Sequence, residues 1–289
     1  MHIDLTGNSL FLILLLFAAG LGCIIKGGDL FVDAATWIAE ASGIPKFIIG
    51  ATVVSFATTL PEMLVSVFAA LEGNADIAVG NAVGSVTANT GLIMCLALIC
   101  MPCLMTRKQF GVKACLLLAA IAGLFGFTRD GRLSVAEGAA ILVVFAIFLA
   151  ENILSGRREQ GTEAATVEKG KKQVLTNLLK FVLGAAAIVL GAQLLIDNGS
   201  ALARLAGVPD AVIAATMIAI GTSLPELVTT LTAIKKKQAS LSVGNIIGAN
   251  IMDLTLILPL CALIQGKPLA VERQGLLLDI PCLLYTSWS

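Results

Sequence analysis

Charge is scarce in this 289-residue chain: Asp, Glu, Lys and Arg together supply 13% of it, about half the share of an ordinary soluble domain. Aromatic residues are 5%, with one Tyr and two Trp, and the single histidine is the terminal His2. So few charges cannot cover a water-exposed surface. One terminal histidine leaves no His-containing metal motif and no nucleophile with a base partner, so the chain is not expected to be an enzyme or to hold a cofactor. The 19 basic residues are matched by 19 acidic ones, and no nucleic-acid partner is expected. Seven cysteines mostly sit in apolar segments, and Cys100-Met101-Pro102-Cys103 is the only C-x-x-C. Without a second pair or a nearby histidine it reads as a helix-end coincidence rather than a redox or metal site.

What the chain has is apolar length. Hydrophobic residues make up 57%, and the mean hydropathy is +0.95, so the lipid bilayer is the expected solvent. Runs of about 17 residues or more can each cross the hydrocarbon core as a helix. The sequence offers nine: 9–25, 44–70, 77–105, 110–127, 133–150, 177–197, 208–234, 240–264 and 274–288. The predicted class is an all-α polytopic membrane protein. The first run resembles a signal-peptide core, yet Met1 to Ser9 carries Asp4 and no Lys or Arg, so it reads as an uncleaved span. From Glu151 to Lys172 charged and small residues prevail, which cannot bury enough apolar surface to fold alone. The expected organisation is a first half over 1–150, a charged cytoplasmic linker over 151–176 and a second half over 177–289.

The halves are related. Residues 43–93 recur at 207–257 with a constant offset of 164 and no gap. Each copy has a Pro-Glu pair inside an apolar stretch: Thr58-Thr59-Leu60-Pro61-Glu62 and Thr222-Ser223-Leu224-Pro225-Glu226. A carboxylate at membrane depth is costly, so the same one twice is a functional signal. With the amino terminus outside, most Lys and Arg fall on the cytoplasmic side, Lys113 and Lys235 to Lys237 among them, as the positive-inside rule requires. Leu71-Glu72-Gly73 in the first copy becomes Lys235-Lys236-Lys237 in the second. That charge switch fits equivalent loops on opposite sides of the membrane, and therefore two inverted-topology repeats of five helices each. The fifth helix maps by the offset beyond Ser289, so the last helix is expected to be missing. Asp29, Asp33, Glu40 and Asp197 lie near expected span ends and read as solvated or snorkelling.

Each copy carries two chemical parts. Pro61 and Pro225 deprive the carbonyls of Ala57 and Gly221 of their helical donors, and free carbonyls at membrane depth belong where they face a cavity or a cation. Thr58 and Thr59, or Thr222 and Ser223, add hydroxyls one turn before the carboxylate. The second part is Gly80-Asn81-Ala82-Val83-Gly84-Ser85, repeated as Gly244-Asn245-Ile246-Ile247-Gly248-Ala249. Its glycines permit close helix approach, and its Asn amides can bridge helices. Asn89 and Asp253 share one aligned position. An oxygen-only set of this kind suits a hard cation: Ca²⁺ gains from two carboxylates, and Na⁺ is compatible.

These paired motifs resemble the two α-repeats of the sodium/calcium exchanger family, within the Ca²⁺:cation antiporter superfamily, over nearly the whole chain. The resemblance implies five plus five helices, with the second and third of each half broken around a central site. It implies an antiporter of the bacterial inner (plasma) membrane with Ca²⁺ and Na⁺ as transported ions; the sequence leaves the oligomeric state open, with a monomer the expected form. Carried over, Glu62 and Glu226 are the principal Ca²⁺ ligands, with the backbone carbonyls of Thr58 and Thr222. Na⁺ would draw on backbone oxygens of Ser55 and Ala219, on the hydroxyls of Thr59, Ser223 and Ser85, and on both glutamates. Asn89 and Asp253 match the polar pair flanking the middle of the site. Two departures stand out: Ala249 replaces the usual Ser, and Val86 replaces an Asn that Asn250 keeps. Coupling to H⁺ or K⁺ is the alternative expectation, and from another class, a passive cation channel.

Overall fold

The structure is a computed structural model that describes residues 7–100, 107–159, 170–208, 221–271, 280, 281 and 283. Two very long helices dominate: α1 (Gly7–Ser42, 36 residues) and α9 (Lys171–Leu205, 35 residues). At 1.5 Å per residue each is about 50 Å long, beyond the ~30 Å hydrocarbon core, so both must tilt or project from it. They occupy the same positions in the two copies and pack along their length. Glycine permits this. A β-carbon on Gly20 would lie 3.0 Å from the Gly191 carbonyl oxygen, and one on Gly27 would lie 2.9 Å from that of Gly184. Gly20 and Gly184 are repeat images of each other, as are Gly27 and Gly191. Phe31 closes the seam against Phe181, with ring centroids 4.6 Å apart.

Between these helices and the second half run α2 (Lys46–Ile49), a π-helical turn (Gly50–Val54), α3 (Ser55–Thr58), α4 (Leu60–Leu71) and α5 (Ala75–Ala88). A second π turn (Asn89–Met94) leads into α6 (Cys95–Cys100), followed by α7 (Arg107–Phe127) and α8 (Val135–Arg158). After α9 come α10 (Leu224–Lys235), α11 (Ala239–Met252), a third π turn (Asp253–Ile257) and α12 (Leu258–Gln265). The offset of 164 maps α4 onto α10 and α5 onto α11 residue for residue, and it brings the π turn at Asn89 onto the one at Asp253. Both α4 and α10 end in the same left-handed turn, at Gly73 (φ 82°) and Lys237 (φ 57°). Lysine in that conformation is strained where glycine is not.

Among the described residues six helices are long and apolar enough to cross a membrane, and the pair Lys46–Thr58 and Leu60–Leu71, bent by 46°, makes a seventh. Seven of the nine expected spans thus have counterparts among the described residues. Of 208–234 only Val208 and the part from Gly221 onward are described, and 274–288 lies almost wholly outside, as do Cys103, His2 and 160–169 of the linker. The chain is a multi-pass, mostly helical membrane protein built on two inverted repeats, with one short antiparallel strand pair, Arg132–Leu133 against Leu269–Ala270.

Three expectations change. The first span, expected over 9–25, runs on to Ser42, because Asp29 and Asp33 find partners in Lys235 and Lys236 instead of ending the helix. The third helix of each half is not broken: Ala75–Cys100 and Ala239–Gln265 are continuous spans, since a π turn keeps its backbone paired where a break would not. Lys113 is no solvated topology marker. It is fully buried, 2.7 Å from the Glu151 carboxylate and 5.1 Å from the centre of the Phe47 ring. Glu151 accordingly belongs to α8 and not to a solvated linker, and Ser155 donates to its other oxygen at 2.7 Å.

Candidate cation site

The second helix of the first half is a break, followed by a new start. Thr59 (φ −82°, ψ −2°) ends α3, and α4 opens with Leu60 and Pro61, where a missing N–H costs nothing. Ser223 (φ −84°, ψ 3°) and Pro225 do the same for α10. Proline therefore marks a helix start inside the membrane, and Glu62 and Glu226 fall in the first turns of α4 and α10. Unpaired N–H groups and the positive end of the helix dipole favour a carboxylate there. Both glutamates are buried, at 0% and 1% exposure.

The two repeats meet through these starts. Thr58 Oγ1 donates to Asn245 Oδ1 at 3.1 Å, and its repeat image, Thr222 Oγ1, donates to Asn81 Oδ1 at 3.2 Å. That reciprocal pair shows the pseudo-twofold relation of the halves in hydrogen bonds. Asn81 also donates to the Glu62 carbonyl at 3.2 Å and to Ser66 at 3.0 Å, tying α5 to α4. Gly244 and Gly248 let α11 press on the stretch before the break, where a β-carbon would run into the carbonyls of Phe47 and Ala51.

At the centre the buried carboxyl groups of Glu62, Glu226 and Asp253 are near enough to interact electrostatically. Asp253 and Asn89, both at 0% exposure, begin the two equivalent π turns. Both oxygens of Glu62, both of Asp253, Oε2 of Glu226 and the whole Asn89 amide lack hydrogen-bond partners. Among the described residues no Lys or Arg pairs with any of the three acids. Buried charges without partners are prohibitively costly, so the three carboxyl groups need neutralising, by protons or by a bound cation. Among the described residues no three His, Cys, Asp or Glu side chains are close enough to hold a metal by themselves. A cation here must therefore also draw on hydroxyl, amide and carbonyl oxygens.

Symmetry fails where the sequence departs. Ser85 and Ser223 hydroxyls share a hydrogen bond of 3.0 Å across the interface. The repeat image of that pair is Ala249 with Thr59, and Ala249 offers no oxygen. Thr59 Oγ1 turns instead to Glu226 Oε1, at a long 3.4 Å. Ser55 donates to the Thr52 carbonyl at 3.2 Å and approaches Met252 sulfur at 3.8 Å. Ala219 lies outside the described residues. Sequence reasoning missed Thr90, which accepts from Asn250 Nδ2 at 2.9 Å. The signal was available: the images of Asn250 and Thr90 are Val86 and Leu254, so a polar pair on one diagonal faces an apolar pair on the other.

A buried acidic cluster at the meeting of two inverted repeats defines a membrane transport protein. Comparison with known proteins narrows the class. The model of the sodium/calcium exchanger protein family matches residues 12–154 and 176–289, and the chain belongs to that family. The sodium/calcium exchanger MaX1 of Methanosarcina acetivorans is 32% identical over 96% of this chain and 89% of its own length. Inner membrane protein YrbG of Escherichia coli is 35% identical over 90% and 83%. Among solved structures, the sodium-calcium exchanger NCX_Mj soaked with Na⁺ and Sr²⁺ superposes with a TM-score of 0.84 at 30% identity, covering 96% of this chain and 89% of that one.

Proposed function

We propose that this protein exchanges Ca²⁺ for Na⁺ across the membrane by alternating access, through one site in which both ions use Glu62 and Glu226. The observation that carries the reading is the buried, uncompensated cluster of Glu62, Glu226 and Asp253. Three carboxylates without a counter-cation cannot persist as anions in the bilayer interior, so the site exists to hold mobile positive charge. The backbone oxygens of Thr58, Thr222, Ser55 and Ala219 and the hydroxyls of Thr59, Ser223 and Ser85 complete the proposed set, with Asn89 and Asp253 flanking its middle. Because the ligands are shared, loading Ca²⁺ excludes Na⁺. Rocking of the two halves, joined by the segment between α8 and α9, is allowed only when the charge is compensated. No nucleophile or prosthetic group is part of this reading.

The test is ⁴⁵Ca²⁺ uptake into proteoliposomes under Na⁺, K⁺ and H⁺ gradients imposed separately. Uptake is expected with the Na⁺ gradient, and uptake that follows only H⁺ or K⁺ sinks the assignment. A proton- or potassium-coupled exchange is the second reading, favoured by one observation: Ala249 leaves Thr59 without the hydroxyl partner that Ser223 has in Ser85. One sodium subsite is thereby short of an oxygen. Ala249→Ser restores it, and Na⁺ inhibition of Ca²⁺ uptake is expected to shift to about tenfold lower Na⁺, the worth of one added ligand oxygen of ~1.4 kcal/mol. An unchanged inhibition curve counts against a sodium subsite at that position.

A further inference from the structure

Inverted repeats carry their own comparison, since repeat images that differ within one structure mark the two sides of the access cycle. The packing of α1 on α10 and of α9 on α4 are such images. On the first side the contact is tight: a β-carbon on Gly28 would lie 2.6 Å from Thr232 Oγ1 and 3.2 Å from Val228 Cγ1. On the second, α9 and α4 form opposite walls of a cavity of about 210 Å³, with Ala192 (the image of Gly28), Gln193 and Ile196 facing Pro61 and Val65. That cavity reaches Thr222 and Pro225 beside the acidic cluster. Leu64 and Phe68, the images of Val228 and Thr232, are 50% and 58% exposed. The protein is thus closed where α1 meets α10 and open where α9 faces α4.

Charge follows the same division. On the closed side Lys236 lies 2.8 Å from Asp33 and 3.5 Å from Asp29, both on α1, and Lys235 lies 3.9 Å from Asp29. The images of these four residues are Glu72, Asp197, Gln193 and Leu71, which hold no base, and Gln193 donates to Asp197 within α9 at 3.1 Å. We infer that Lys236 with Asp29 and Asp33 is a one-sided electrostatic latch, which holds the α1 face shut and biases the access equilibrium toward opening at the α9 face. Glu226 in the first turn of α10 and Lys236 just past its last connect the latch to the ion site through one rigid helix. The inference rests on the alternating-access reading above. The ion pairs are partly exposed, with side-chain exposures of 23% for Lys236 and 62% for Asp33, so the latch is weak. Its effect is a bias of about threefold to fivefold between two access states of similar energy, not a lock.

The experiment is hydrogen–deuterium exchange on the purified full chain, which needs no ion gradient and so can fail independently of the Ca²⁺/Na⁺ assignment. Peptides spanning Gly28 to Asp33 and Thr232 to Lys236 are followed in the wild type, in Lys236→Gln and in Asp33→Asn. They are followed too in the charge exchange Asp33→Lys with Lys236→Asp, made together with Asp29→Asn so that no carboxylate faces the new one, and in Lys237→Gln, whose side chain takes no part in the pairs. Exchange is expected to quicken by about threefold to fivefold in the two neutralised variants, to return toward the wild-type rate in the charge exchange, and to stay unchanged in Lys237→Gln. Wild-type rates in Lys236→Gln, no recovery in the charge exchange, or equal quickening in Lys237→Gln would each overturn the latch.

Discussion

Sodium-driven Ca²⁺ uptake is expected to fall by two to three orders of magnitude when Glu62 or Glu226 is replaced by Gln, while the ion-free protein becomes more heat-stable. The two effects share one cause. Removing one partner of a buried charged contact costs about 2–5 kcal/mol, and at 1.4 kcal/mol per tenfold the larger part of that range abolishes measurable transport. Without an ion the same carboxylates repel each other: Glu62 and Glu226 are buried within electrostatic reach of one another, and neither Glu62 oxygen has a donor. Turning one into an amide relieves the repulsion and supplies a donor, so the thermal midpoint measured without Na⁺ and Ca²⁺ should rise. A merely structural glutamate would lower both quantities. The opposite signs separate the two roles, and a variant that keeps wild-type uptake removes Glu62 or Glu226 from the site.

The second large effect concerns stability away from the site. Glu151→Gln is expected to destabilise the protein by about 3–5 kcal/mol, because it leaves the Lys113 ammonium buried without its counter-charge. Lys113→Met should cost less. Glu151 is 19% exposed and keeps the Ser155 hydroxyl, so it can be solvated, whereas Lys113, at 1% exposure in the pair, cannot. The Phe47 ring offsets part of the lysine's burial but does not replace a carboxylate. The double variant Lys113→Met with Glu151→Gln should recover much of the loss, because replacing both ions by groups of similar volume removes the desolvation cost as well. Thermal unfolding of the four proteins in one detergent measures the coupling. Equal losses in the single variants with strict additivity would mean that the ion pair is not formed.

Much of this was legible in the residues. The offset of 164 is a property of the sequence, and it carries directly into structure: α4 and α10 begin at equivalent leucines, each followed by Pro and Glu. Inverted topology was legible because Lys235 to Lys237 replaces Leu71-Glu72-Gly73, and bases in membrane-protein loops report the side of the membrane. What could not be read was pairing across distance. Lys113 and Glu151 are 38 positions apart, Asp33 and Lys236 are 203 apart, and no local pattern couples them. From the sequence each therefore reads as solvated, the default for a lone charge. The π turns at Asn89 and Asp253 escaped for another reason: a single extra residue per turn leaves no composition signal, although it directs both side chains into the buried centre. Π turns are often found at functional sites for that reason.

The central claim is that one set of oxygens serves both ions in turn. Its most direct measurement is equilibrium Ca²⁺ binding to the purified protein over a series of Na⁺ concentrations, with no membrane and no gradient. The account predicts pure competition: the amount of Ca²⁺ bound at saturation stays constant while the apparent dissociation constant rises with Na⁺ more steeply than first order, because more than one Na⁺ must match the charge of each Ca²⁺ displaced. Ca²⁺ binding that is indifferent to Na⁺, or a ternary state in which both ions are retained at saturation, would contradict it.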